Sequence, residues 1–195
     1  MTLLILGLLI FFGSHLVHVL APGVRATAIA RLGLGPWRGL YSLISLAGFV
    51  LMIYGFGQAR AVTGLLYNPP VAMKHVTLLL MVPAMICLVA GFLPAGRIAV
   101  AVKHPQVLAV KIWALAHLLA NGETSSVILF LAFLAWGVVL RISLKRRERR
   151  GEPVLPVFKS SRYDTMAIVL GLLLYGLMVW RLHEWLIGVS PLPMA

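Results

Sequence analysis

Residues 104–122 read HPQVLAVKIWALAHLLANG, and this stretch decides the architecture. It carries its own start and stop. Pro105 suits the first position of a helix, where an N–H would find no partner inside the helix anyway. His104 stands at the cap position before it, and Asn121-Gly122 is a turn-forming pair. The spacing predicts a helix over 105–120. At 1.5 Å per residue it spans about 24 Å, short of the roughly 30 Å hydrocarbon core of a bilayer. Lys111 and His117 lie inside it. Ionisable side chains at membrane depth are costly and mark functional sites by default. The plain alternative is that Lys111 snorkels to the headgroups and His117 rests near the far interface.

The rest of the chain has the composition of a membrane protein. Of its 195 residues, 61% are hydrophobic and only 11% charged, with a mean hydropathy of +0.99. A soluble domain is about 45–50% apolar and about 25% charged. There are 17 Lys and Arg against 5 Asp and Glu, a formal charge of +12. The basic residues lie between apolar runs, so the excess reads as membrane orientation and attraction to anionic lipid, not as a nucleic-acid surface. Cys87 stands alone, which excludes an internal disulfide and a paired-cysteine zinc site. The first apolar segment lacks a cationic start and a small-residue cleavage site, so it reads as a retained helix.

The expected fold is all-α, a polytopic membrane helix bundle forming one domain over residues 1–195. About six transmembrane helices are expected, near 2–20, 39–58, 71–93, 105–120, 125–144 and 164–187. Gly33, Gly35 and Pro36 predict a loop from Gly23 to Arg38. Ser42, Ser45, Gly48 and Gly55 form a small-residue stripe suited to close helix approach. Pro83 should kink the third helix. Residues 94–103 read as a loop, Thr124 as a helix cap, and 145–150 (KRRERR) as a solvated anchor. Arg181 and Glu184 can pair at a spacing of three, and Trp180 and Trp185 suit a membrane interface.

Histidines concentrate the chemistry. His15 and His18 share a helix face with Phe11. His75 begins the third helix, where solvation explains it, and His183 lies near the end of the last. Trp113 is one turn from His117, and Ala109, Ala116 and Ala120 share that stripe; an aromatic and small residues beside a histidine leave room for a flat ligand, or serve plain packing.

Six helices place the segments after the first, third and fifth on one side of the membrane. Their basic residues (Arg25, Arg31 and Arg38; Arg97 and Lys103; Arg141, Lys145, Arg146, Arg147, Arg149, Arg150, Lys159 and Arg162) outnumber those opposite (Arg60, Lys74 and Arg181) thirteen to three. The positive-inside rule makes the heavy side cytoplasmic, loop 145–163 included, and puts both termini outside. His15 then lies roughly 8 Å and His117 roughly 18 Å from the cytoplasmic edge, a difference that two ligands reaching from tilted helices can absorb.

Three blocks carry a family resemblance: HPQVLAVKIWALAHLLANG, FFGSHLVHVLAPGVR at 11–25 and WRGLYSLISLAGFVLMIYG at 37–55. They resemble the NnrU family of bacterial membrane proteins, which is linked to denitrification and nitric oxide reduction. The same blocks are distantly similar to the zeta-carotene isomerase of plants, which binds haem b through histidines and isomerises a cis double bond in a redox-dependent way. The resemblance implies a non-covalent haem b with His15 and His117 as ligands, His75, His183 and His18 being rivals. Where the isomerase has a cysteine three residues before the second ligand, this chain has Ala114. As partner the resemblance implies a nitric oxide reductase or another redox protein of the membrane.

The residues suit that expectation. Neutral imidazole is a good iron ligand, and histidines on facing helices are a usual haem arrangement. Lys111, Arg25 and Lys103 could meet haem propionates, and Trp113 could line the ring. The sequence has no CxxCH, so a covalent c-type haem is excluded, and it has no nucleophile motif or carboxylate–histidine run for a di-iron centre. Three readings remain: a haem b protein of the bacterial inner membrane acting in electron transfer, sensing or maturation; a membrane haem enzyme isomerising or oxidising and reducing a polyene or quinone-like lipid; or a haem-free assembly partner. The topology is directly testable. A reporter fused at Arg147 is expected in the cytoplasm and one at Ala195 outside; an external Arg147 would overturn the six-helix reading and the depths of His15 and His117 with it.

Overall fold

The computed structural model describes residues 1–192. Along the chain run α1 (Thr2–Leu20), α2 (Pro22–Leu32), α3 (Leu34–Val62), α4 (Val71–Ala90), α5 (Arg97–Val102), α6 (Pro105–Ala120), α7 (Thr124–Arg149) and α8 (Arg162–Leu177). A π-helical turn, Met178–Leu182, then leads into α9 (His183–Ile187). The fold is all-α, as expected. Among the described residues five helical stretches are long and apolar enough to cross a membrane: α1, α3, α4, α7 and the run Arg162–Ile187. With the short α6 they make the six segments read from the sequence. Helices suit this medium because lipid offers no partner for backbone N–H and C=O groups, and a helix satisfies them internally. Ala195, used above to place the C-terminus, lies outside the described residues.

Several boundaries differ from expectation. The segment Gly23 to Arg38 is not a loop. Alanine, arginine and leucine favour a helix there, and α2 runs to Leu32. Only Gly33, at φ 84°, breaks the chain. Pro36 falls in the first turn of α3, where its missing N–H costs nothing. The region 94–103 contains α5, whose first N–H groups, on Arg97 and Ile98, both donate to the Asp164 carboxylate at 2.9 Å. The basic run continues α7 to Arg149 instead of trailing it as a loop, since Lys and Arg are good helix formers and cations suit a helix C-terminus. Just beyond, Glu152 accepts from Arg147 at 2.6 Å and Arg150 at 2.8 Å, which holds its carboxyl below the usual range. α4 runs unbroken through Pro83.

The described chain forms two compact units, one of residues 1–67 and 123–132, the other of 68–122 and 133–192. In the first, α1 packs along α3 through glycines. A Cβ on Gly7 would overlap the backbone of Met52, one on Gly55 the backbone of Leu4, and one on Gly48 would stand 2.7 Å from the Phe11 nitrogen. The small-residue stripe of α3 is therefore a packing surface, and Leu4 and Met52 are sealed beneath it. The start of α7 closes this unit: Thr124 donates from its N–H and from its hydroxyl to the Gly64 carbonyl, each at 3.0 Å, and Thr63 donates to the fully buried Ser125 at 3.2 Å.

In the second unit α4 packs against both α6 and α8. Met81, Ala84, Met85 and Ala116 form its core, flanked by Ile112, Trp113, Leu174, Tyr175 and Met178. Gly171 lets α8 approach so closely that an added Cβ would lie 2.8 Å from the Ile86 Cα. Thr77 of α4 reaches the Ala116 carbonyl of α6 at 2.6 Å.

These contacts make the glycine stripe testable. Gly55→Ala should destabilise the protein by about 1–3 kcal/mol, because the overlapped atoms are backbone and cannot rotate away. Gly57→Ala, at a glycine with open space around it, should be neutral or better. Thermal unfolding of the two variants in the same detergent measures the difference; equal midpoints would show that α1 and α3 do not depend on this approach.

Candidate functional site

α6 has the bounds the sequence sets, with His104 at the N-cap, Pro105 at the first position and Asn121 closing the other end. The Asn121 N–H and its side-chain amide both donate to the His117 carbonyl, at 2.9 and 2.8 Å. This fixes the turn of backbone that carries the His117 ring. The ring is held as well: its Nδ1–H donates to the Trp113 carbonyl one turn back, at 2.8 Å. A carbonyl oxygen can only accept, so the proton is on Nδ1 and the lone pair is on Nε2, the nitrogen that binds metals in this tautomer. Trp113 lies against the imidazole, ring centres 5.3 Å apart, and is itself braced edge-on by Phe133 at 5.2 Å.

A second histidine of the same unit faces this one. His183 opens α9, directly after the π-helical turn. Its ring lies 6.3 Å from that of His117, the planes within 19° of parallel. Its Nδ1–H donates to the Val189 carbonyl at 2.7 Å, so it too carries its lone pair on Nε2. A π-helical turn holds an extra residue within the helix and rotates the residues beyond it; such turns recur at functional sites. The turn that brings His183 round has no marker in the sequence, where His183 was a rival ligand only. Over the same turn Leu177, Trp180, Leu182 and Trp185 line an open apolar cleft of about 270 Å³, with Arg181 at its rim. Arg181 and Glu184 pair at 3.6 Å, as their spacing predicts.

The other sequence candidates are distributed over both units. His15 belongs to the first, half-buried on α1, its Nδ1–H donating to the Phe11 carbonyl at 2.8 Å. Phe11, Tyr41 and Ser45 surround it, with ring centres 4.1 Å from Phe11 and 5.6 Å from Tyr41 and the Ser45 hydroxyl at 3.4 Å. His18 is exposed on the same helix, Arg25 is exposed on α2, and His75 is exposed at the start of α4. Lys111 is half-buried, and its stem lies over Gly137 of α7, where an added Cβ would stand 2.7 Å from the Lys111 Cγ. Lys103 is engaged by Glu148 at 2.5 Å. Ala114 is fully buried against its neighbours.

Among the described residues no group of three or more His, Cys, Asp or Glu side chains could hold a metal ion. Haem does not need one. The porphyrin supplies four nitrogens, and the protein supplies one or two axial ligands. The rings of His117 and His183 stack 6.3 Å apart, each with its Nε2 unprotonated.

No curated protein and no solved structure matches the chain. A family model does: the NnrU protein family matches over residues 3–191, nearly the whole chain. That match supports a membrane protein linked to nitrogen-oxide metabolism. The spans, the helix from Pro105 to Ala120 and the extent of the match agree, and the chain belongs to the NnrU family.

Proposed function

We propose that this protein is a haem b protein of the bacterial inner membrane that serves nitrogen-oxide metabolism in electron transfer, sensing or maturation, with a membrane redox protein such as a nitric oxide reductase as its partner. One observation carries the haem reading: two near-parallel imidazoles, on α6 and at the start of α9, each with its Nδ1–H on a backbone carbonyl. Family membership supports the metabolic setting. His117 is the ligand common to both ways of filling the site. His183 is the second ligand that the geometry of the second unit favours, and His15, in the same tautomer, is the second ligand that the resemblance implies.

A bound haem b supplies one-electron redox chemistry and, with an open axial position, a site for a small diatomic molecule. The chain's own part is to hold and tune it. The Trp113 carbonyl fixes the His117 tautomer and makes Nε2 a stronger donor. Trp113 presents a flat aromatic face beside the imidazole. Lys111, in the same unit as His117, is the cation for a propionate carboxylate, while Lys103 is held by Glu148.

The second reading, an enzyme acting on a polyene or quinone-like lipid, is favoured by the apolar cleft of Leu177, Trp180, Leu182 and Trp185, which opens beside the His183 turn. Conversion of such a lipid only with reduced iron would establish it. The third reading, a haem-free assembly partner, requires purified protein with no Soret band.

The spectrum decides among the ligands. Purified protein should show a low-spin haem b spectrum, oxidised and reduced. His117→Ala should become high-spin or lose haem. If His183→Ala does the same and His15→Ala keeps the wild-type spectrum, the pair lies on α6 and α9; the reverse result assigns it to His15 and His117. His18→Ala and His104→Ala should leave the spectrum unchanged. A wild-type spectrum in His117→Ala would overturn the site. Lys111→Met should lower haem retention while the low-spin signature persists; unchanged retention would show that Lys111 only snorkels.

A further inference from the structure

The junction of α5 and α6 collects positive charge that nothing in the haem reading uses. Lys103 and His104 form the junction, and Arg141 of α7 acts electrostatically on both His104 and the nearby Glu148. Two nitrogens there, His104 Nε2 and Arg141 Nη1, are buried and have no hydrogen-bond partner. Buried polar nitrogens are nearly always paired, and each exception calls for an explanation. Glu148 does not supply it: its Oε1 accepts from Lys103 at 2.5 Å, and neither nitrogen is bonded to it. Lys103 is also the one non-glycine residue with positive φ, 67°, among the described residues. Such a backbone persists only where its surroundings enforce it, and it clusters at binding sites.

The neighbourhood selects the ligand's chemistry. It holds two permanent cations, one imidazole and a single carboxylate, so it carries net positive charge. Burial and the charges of Arg141 and Lys103 push the His104 imidazole down, with Glu148 opposing, so His104 is neutral at pH 7 and offers one ring N–H. His104 makes no side-chain cap on α6, and Pro105 presents no N–H, so the positive end of the α6 dipole is left without an anion. What completes such a group is an anion with several acceptor oxygens. Phosphate meets that need, and Arg binds it in a forked geometry.

The position selects the source. The 16 residues of α6 span about 24 Å, roughly 6 Å short of the hydrocarbon core, and a short span draws the bilayer thin around it. Headgroups are thereby brought toward the α6 N-cap, on the side that carries the basic residues. Basic pockets between membrane helices on that side suit anionic lipid. We propose that Lys103, His104 and Arg141 form a binding site for a phosphate group, that of an anionic phospholipid headgroup.

The experiment uses the full-length protein in a neutral detergent. Phosphatidylglycerol, phosphatidylcholine and inorganic phosphate are titrated separately, with bound lipid read by native mass spectrometry and stability by thermal unfolding. Phosphatidylglycerol is expected to bind and to raise the midpoint. Arg141→Gln should weaken that binding about tenfold or more, the loss of one charge-assisted hydrogen bond. His104→Leu should weaken it as well, and it serves if Arg141→Gln does not fold. Arg146→Gln, at an exposed arginine of the basic run, should bind as wild type. Protection by inorganic phosphate alone, lost in Arg141→Gln, would keep the phosphate site but make its ligand soluble. Equal binding of phosphatidylcholine would keep the phosphodiester and remove the demand for an anionic headgroup. Undiminished binding in both Arg141→Gln and His104→Leu, or an equal loss in Arg146→Gln, would overturn the site and leave only the general attraction of a basic surface for lipid. None of these outcomes depends on haem.

Discussion

The seat of α6 on α4 is the contact on which the candidate site depends. Ala116, with no exposed surface, presses against Met81, Ala84 and Met85, and the Thr77 hydroxyl reaches the Ala116 carbonyl. Within a bilayer, apolar burial gives little net drive between helices, so close packing and hydrogen bonds of this kind carry the association. His117 is the next residue along. Its rotation about the α6 axis is set by Ala116 facing inward, and the carbonyl bond to Trp113 then fixes the ring. A larger side chain at 116 would lift α6 from α4 and carry His117 with it.

The second unit adds the other half of the arrangement by the same means. Gly171 lets α8 approach Ile86 of α4, so α6 and α8 are both referenced to one helix. Along α8 the regular turn would continue past Leu177, but a π-helical turn intervenes before His183. That single irregularity resets the face on which His183 projects. A site built on rigid, mutually packed helices holds its ligands more closely than one built on loops. Asp164 joins the same frame at the other end of α8, where its carboxylate receives the first two N–H groups of α5. The acidic residue thereby anchors the start of α5, the short helix that leads into the Lys103–His104 junction.

Charge is divided between two tasks. The run 145–150 carries the topology signal, and Glu152 ties Arg147 and Arg150 at its end. Lys103, His104 and Arg141 are partly buried, and of the run only Glu148 reaches them, pairing with Lys103. Distributed surface charge orients a membrane protein, whereas charge withdrawn from water must be answered by a specific partner. This difference separates the two sets although both consist largely of lysine and arginine.

The sequence by itself determined the helical class, the membrane spans and the bounds of α6, because hydropathy, proline position and helix-stopping pairs act locally. It also pointed to His117, since a histidine inside a short apolar helix is conspicuous wherever the helix packs. It misread 23–38 as a loop, because the glycines and proline there were weighed as breakers without regard to position: Pro36 falls in a first turn, where it is harmless. Only the tertiary structure decided that His183 faces His117, that Asp164 caps α5, and that His104 Nε2 and Arg141 Nη1 are each buried without a hydrogen-bond partner. The first two join residues up to 67 positions apart through a helix contact or a π-helical turn. Such relations depend on how far one helix rotates and slides against another, and glycine and alanine contacts fix that by where side chains are missing, a signal that local periodicity does not carry.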